Sequence, residues 1–226
     1  MAFPGPDRVY VERLTRRLAA SGNRTCLRHN GQDIVDGDFL ARIHRCARAL
    51  RGLGVGRGDV VALLGTTRDE MGAGEYLATV LGRDEGPCPA LDLASTRALV
   101  NLLLETVRDG MLSSAHDVSE GGLAVALAEA AMGPAGLGAD VNVATTLAHT
   151  RLLFSQTAGR AVVSLPAGRE RNLVEAGRRY GVAVSLLGRV VPGRLAVSVN
   201  GTRVLDLATA ELRSVSESAF LELLEA

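Results

Sequence analysis

The chain has 226 residues, 47% hydrophobic and 22% charged, enough for one globular domain of moderate size and a smaller companion segment. Its 25 basic residues balance 25 acidic ones, so neither nucleic acid nor an anionic membrane is an expected partner. Every basic side chain is arginine, which excludes a Walker-type phosphate loop and Schiff-base chemistry, both of which need lysine.

Cys26, Cys46 and Cys88 are odd in number and form no C-x-x-C pair, which argues against a metal site or a disulfide framework and for reduced thiols. The N-terminus has no apolar signal core and no run reaches membrane-spanning length. A cytoplasmic protein is expected.

In chain order, Val9, Val11, Leu14 and Leu18 have helical spacing over residues 8–19. Thr25–Arg28 and Asp33–Val35 flank Asn30-Gly31, the signature of a tight hairpin. Asp36 or Asp38 then caps a helix to about Leu53, with Phe39, Leu40, Ile43, Cys46, Ala47 and Leu50 on one side. A strand is expected over 59–64, a helix over roughly 69–80, and a loop over Gly82–Pro89. Residues 92–109 predict a helix opened by Asp92, and Ser113–His116 a short extended stretch. An Ala-rich helix follows over Gly121–Met132, then strands at about 139–143 and 160–165 and a helix over Glu170–Tyr180. Strands are expected over 182–191, 195–199 and 203–207, the last two joined by Asn200-Gly201, before a final helix at 209–225. Helices and strands interleave throughout, so the class is mixed α/β (α+β).

Ser114–Leu123 (SAHDVSEGGL) carries the densest chemistry. An extended stretch delivers His116 and Asp117, Ser119 and Glu120 open a helix, and Gly121-Gly122 admits a close neighbour. Such a helix start suits a phosphate, and a carboxylate beside it suits magnesium. The same residues also suit a plain capped helix, with Ser119 or Asp117 as N-cap and glycines for tight packing. His29, His44 and His149 stand alone and read as surface or helix-face residues.

SAHDVSEGGLAVALAE, at Ser114–Glu129, resembles the C-terminal domain signature of the phosphoribosylformylglycinamidine synthase family. VALLGTTRDEMGAGEYL resembles that family's LLG-x-T-x-x-E-x-G-G-S-E-Y, with Ala73-Gly74 where the family has Gly-Ser. Pro89–Leu93, Leu153–Ser164, Leu187–Val190 and Ala210–Arg213 agree in order and spacing, so the resemblance runs from about residue 61 to 226. It implies a C-terminal domain of the aminoimidazole ribonucleotide synthetase-like superfamily and an ATP-dependent amidoligase that turns formylglycinamide ribonucleotide into its amidine. ATP or ADP and magnesium are the implied cofactors, with Asp117, Ser119, Gly121, Gly122, Ser155 and Gln156 holding nucleotide and Asp117 the metal. Gln156 stands where the family has Glu. The family's catalytic histidines and metal-binding loop have no counterpart here, so no catalytic residue is assigned and an incomplete, inactive remnant is expected. A non-catalytic nucleotide-binding or assembly module is the alternative, and self-association or the missing synthetase half are the expected partners.

Residues from about 8 to 64, ending in ALRGLGVGRGDVVALL, resemble the start of adenylate-forming acyl-CoA ligases, whose catalytic lysines have no counterpart here. An acyl-CoA ligase remnant is therefore a further alternative. The expected organisation is a ligase-like fragment at 1–64 (a small helix-hairpin-helix-strand segment), a remnant helix and linker at 65–89, and a synthetase-type domain at 90–226.

Overall fold

The computed structural model describes residues 25–29, 32–35, 54–83, 85–133 and 135–225. The chain divides into two compact units, one of them Val55–Ser216. In the other, β1 (Thr25–His29) pairs antiparallel with β2 (Gln32–Val35), with His29 opposite Gln32 and a register shift between Thr25 and Leu27. The Asn30-Gly31 turn and the helices expected over 8–19 and after Asp36 or Asp38 lie outside the described residues.

The larger unit is built on a seven-stranded sheet in the order β4-β6-β3-β7-β5-β8-β9. Its strands are β3 (Val60–Leu64), β4 (Ser114–Asp117), β5 (Leu137–Val143), β6 (Ala161–Leu165), β7 (Val184–Pro192), β8 (Arg194–Val199) and β9 (Thr202–Ala208). The pairs are antiparallel except for β5 with β8. Between the strands run α1 (Leu93–Arg108), α2 (Gly122–Ala131), α3 (His149–Phe154) and α4 (Glu170–Tyr180), and α5 (Thr209–Glu225) follows β9.

The period-2 alternation of the strands sorts side chains to two faces. Val60, Ala62 and Leu64 of β3 join Val163 and Leu165 of β6 in one core, with Leu99 and Leu102 of α1 and Leu173 of α4. Val61, Leu63 and Val162 point the other way, to Leu123 and Leu127 of α2, Leu152 of α3 and Val197 of β8. Both faces are covered, which is why β3 is apolar along its whole length and β6 is so except at Ser164. Leu64 is fully buried, and its truncation to alanine would cost about 2–5 kcal/mol.

Val60–Leu64 sits in the middle of this sheet, between β6 and β7, within the unit Val55–Ser216. One sequence expectation changes here. The helix expected over 69–80 is reduced to a π-helical turn at Tyr76–Val80. Gly72 prevents a longer one: its backbone packs so closely on residues 86–87 that an added Cβ would lie 2.3 Å from the Pro87 carbonyl oxygen. Ala73 beside it takes a left-handed φ of 49°, which no α-helix accommodates.

Candidate ligand site at the end of the edge strand

β4 is one of the sheet's two edge strands, paired to β6 with Ser114 opposite Ser164 and Asp117 opposite Ala161. The chain leaves the sheet at Val118, whose N–H donates to the Arg160 carbonyl at 3.1 Å. Asp117 is thereby carried to the strand's end, exposed. The Ser119 hydroxyl donates to its Oδ2 at 2.8 Å. That bond, helped by the neighbouring His116 and opposed by partial burial, holds the Asp117 carboxyl below the usual carboxylate range. His116 places Nδ1 2.7 Å from the Asp117 carbonyl oxygen and Nε2 3.5 Å from Glu129 Oε2.

Neither Asp117 nor Ser119 caps α2. The N-cap is Gly121, left-handed at φ 72°, with no side-chain cap. The Ser119 hydroxyl is committed to Asp117, and its carbonyl accepts the Gly122 N–H at 3.1 Å. Gly122 packs directly on the backbone of the loop after α3. An added Cβ would lie 2.7 Å from the Ser155 carbonyl oxygen and 2.8 Å from that of Leu153.

That contact brings in the loop after α3, which runs alongside residues 67–76. The ring of Tyr76 stacks on Phe154 at 4.6 Å. The Glu70 N–H donates to Ser155 Oγ at 3.2 Å, and the Arg68 N–H to Thr157 Oγ1 at 3.0 Å. With its side-chain oxygen turned inward, Gln156 accepts the N–H of Gly121 at 2.9 Å and that of Glu75 at 2.8 Å. Arg160 sits beneath, 2% exposed. It donates to the carbonyls of Thr157 and Ser155 and to Thr67 Oγ1. Burial pushes its pKa down to about 10, against the pull of Glu70. Glu70 Oε1 accepts the Ala90 N–H, while its buried Oε2 has no hydrogen-bond partner.

Of the residues expected from sequence, Asp117, Ser119 and Gln156 line one cavity of about 550 Å3, walled on its far side by Leu99, Val100 and Leu103 of α1. Gly121 joins them through Gln156. Ser155 and Gly122 are buried and shape the floor instead of facing a ligand. Glu70, Glu75 and Arg160 went unassigned in the sequence. The available signal was an arginine placed just before a mostly apolar strand, Arg160 before Ala161–Leu165. Among the described residues no three His, Cys, Asp or Glu side chains group to hold a metal. Cys88 is a free, exposed thiol. No described helix is long and apolar enough to cross a membrane.

Taken together, the fold and site define a layered α/β domain with an open cavity at a strand-to-helix turn that carries a glycine pair. Residues 56–200 match the family described as AIR synthase related protein, C-terminal domain, and the chain belongs to that family. It is 41% identical over 163 residues to the phosphoribosylformylglycinamidine synthase subunit PurL of Moorella thermoacetica, covering 71% of this chain and 22% of that protein. The PurL subunit of Anaeromyxobacter dehalogenans is 42% identical over 149 residues, covering 62% of this chain and 20% of that protein. The chain thus spans about a fifth of the length of these curated relatives. Among solved structures, Thermotoga maritima PurL complexed with FGAR aligns with a TM-score of 0.62 at 20% identity, over 71% of this chain and 28% of that one. The same protein complexed with ATP aligns at 0.57 and 18%, over 71% and 26%. These likenesses confirm the fold expected from sequence.

Proposed function

We propose that the chain is the nucleotide-holding C-terminal part of a phosphoribosylformylglycinamidine synthase. The observation that carries this is the carboxylate of Asp117, exposed and favoured as the anion, at a 550 Å3 cavity beside Ser119 and the glycine start of α2. One carboxylate is too few for an all-protein metal cage, but magnesium is commonly held by one or two carboxylates plus substrate phosphates. Asp117 fits that role for Mg-ATP or Mg-ADP. Gln156 keeps the glycine turn closed over the site, and Ser155, Gly121 and Gly122 shape it.

In the family reaction ATP activates the amide of formylglycinamide ribonucleotide for attack by ammonia. In this reading the chain's residues bind and orient nucleotide, and the remainder of the synthetase is their partner. Calorimetric titration of the full chain with ADP tests it. Binding should require magnesium and fall about tenfold or more in Asp117→Asn. Equal affinity in that variant, or indifference to magnesium, overturns the site. The chain alone should form no amidine from formylglycinamide ribonucleotide, ATP and ammonia. Steady product formation would overturn the non-catalytic part.

The acyl-CoA ligase likeness is kept as a proposal for residues from about 8 to 64, supported by the antiparallel pairing of β1 with β2. With no lysine in the chain, no acid-dependent exchange of pyrophosphate into ATP should occur.

A further inference from the structure

Behind β4, on the face opposite the Asp117 site, lies a second cavity of about 320 Å3. Asp117 borders the first cavity and Ser114 the second, while Ala115 and His116 border both. The walls of this cavity are apolar and short, among them Val61, Leu127, Ala131, Ala139, Val162 and Val190. No carboxylate or guanidinium is among the lining residues. Its polar side chains are His116 and a hydroxyl pair, Ser114 Oγ and Ser164 Oγ at 2.6 Å, set directly opposite each other in the β4–β6 register.

Protein interiors close-pack, and voids much larger than a water molecule are few. A cavity of this size between α2 and the sheet results from a run of alanines where larger apolar residues would fill the space. The cavity is partly open to solvent, and its apolar walls favour an apolar guest over water. Its volume is that of a small-ligand pocket, and such pockets pair apolar walls with a few placed polar groups. The serine pair has two hydroxyl protons and spends one on the mutual hydrogen bond, leaving the other free to donate.

We propose that this cavity is a binding site for a compact, uncharged apolar molecule, aromatic or branched aliphatic, bearing one oxygen that accepts from the Ser114–Ser164 pair. No carboxylate or guanidinium lines the cavity, and its ionisable lining residue, His116, already faces Glu129 at 3.5 Å, which disfavours a charged occupant. The serine pair selects an oxygenated ligand over the bare hydrocarbon.

1-Naphthol is a suitable probe because the chain has no tryptophan to obscure its fluorescence. Titrated into the full chain, it should bind saturably at one site. Ala131→Leu, which fills the cavity, should weaken binding about tenfold or more. Ala130→Phe serves the same purpose from an exposed position at the cavity wall, where folding is not at stake. Ser164→Ala should weaken 1-naphthol severalfold and leave naphthalene unchanged. Circular dichroism establishes that each variant is folded. No saturable binding by the native chain, including the case where its own residues fill the space, overturns the proposal. So does binding that Ala130→Phe leaves untouched.

Discussion

The side chain of Gln156 and the backbone of Gly121 are joined by a hydrogen bond of 2.9 Å, and the same oxygen takes the Glu75 N–H at 2.8 Å. One carboxamide therefore fastens the start of α2 to the turn that precedes the π-helical segment. Gln156→Ala leaves two N–H donors without this partner and should cost about 1–3 kcal/mol in chemical denaturation. Gln156→Glu keeps the acceptor and adds charge near a helix N-terminus, for a gain of about 1 kcal/mol at neutral pH. Two backbone donors depress the pKa of the new carboxylate. Its contribution is full above the unfolded value of about 4.3 and is lost as pH falls through the folded one. Equal stability of the alanine and native chains would show that the contact contributes nothing.

Gly122→Ala faces two penalties together. Its φ of 71° is left-handed, and the new methyl would press on the carbonyls of Ser155 and Leu153. A destabilisation of at least about 2 kcal/mol is expected, read as a lowered thermal midpoint. A midpoint unchanged within error would mean that the α2 start can move away from the Ser155 loop at little cost.

Tyr180 provides a pH probe away from the site. Its phenol donates to Glu105 Oε2 at 2.7 Å, a carboxylate also paired with Arg179. That hydrogen bond, with partial burial, raises the tyrosine pKa above its ordinary value. The associated stability is complete below the unfolded pKa of about 10 and is lost as pH rises through the folded one. Ultraviolet titration should show one of the three tyrosines ionising late. Glu105→Gln should bring it back toward the others, and an unshifted titration would refute the assignment.

Leu93, Val100, Leu104 and Val107 leave an exposed apolar stripe along α1, with Leu93 72% exposed. With zero net charge there is little electrostatic resistance to contact between copies. Sedimentation should therefore show association rising with micromolar concentration, and Val100→Glu with Leu104→Glu should suppress it without loss of stability. A monomer at every concentration would show that the stripe does not associate.

Much of the sheet was legible because its strands obey local rules. The apolar runs of β3 and β6 announce burial on both faces, and Asn200-Gly201 marks the turn between β8 and β9. α3 was missed because six residues are too few to display a period and Ala148 offers no side-chain cap. The truncated helix near Tyr76 was over-read because its apolar spacing is helical, while the constraint at Gly72 comes from residues 86–87. At the site, Asp117, Ser119 and Gly121 lie within one short motif and were readable together. The hold of Gln156 on Gly121 and Glu75, and the buried Arg160 beneath, depend on two distant loops lying side by side. No local spacing encodes that.

The four residues of β4 are a partition one strand thick. Whatever presses on Ser114 and His116 from one side has Asp117 as its nearest neighbour along the chain on the other. An edge strand has a hydrogen-bonded neighbour on one flank only, and among the described residues β4 is tied by β6 alone. A small slide of such a strand therefore disturbs one ladder where an inner strand would disturb two. The thin wall between the cavities is thus held on a single flank, so material stored in one chamber would alter the fittings of the other.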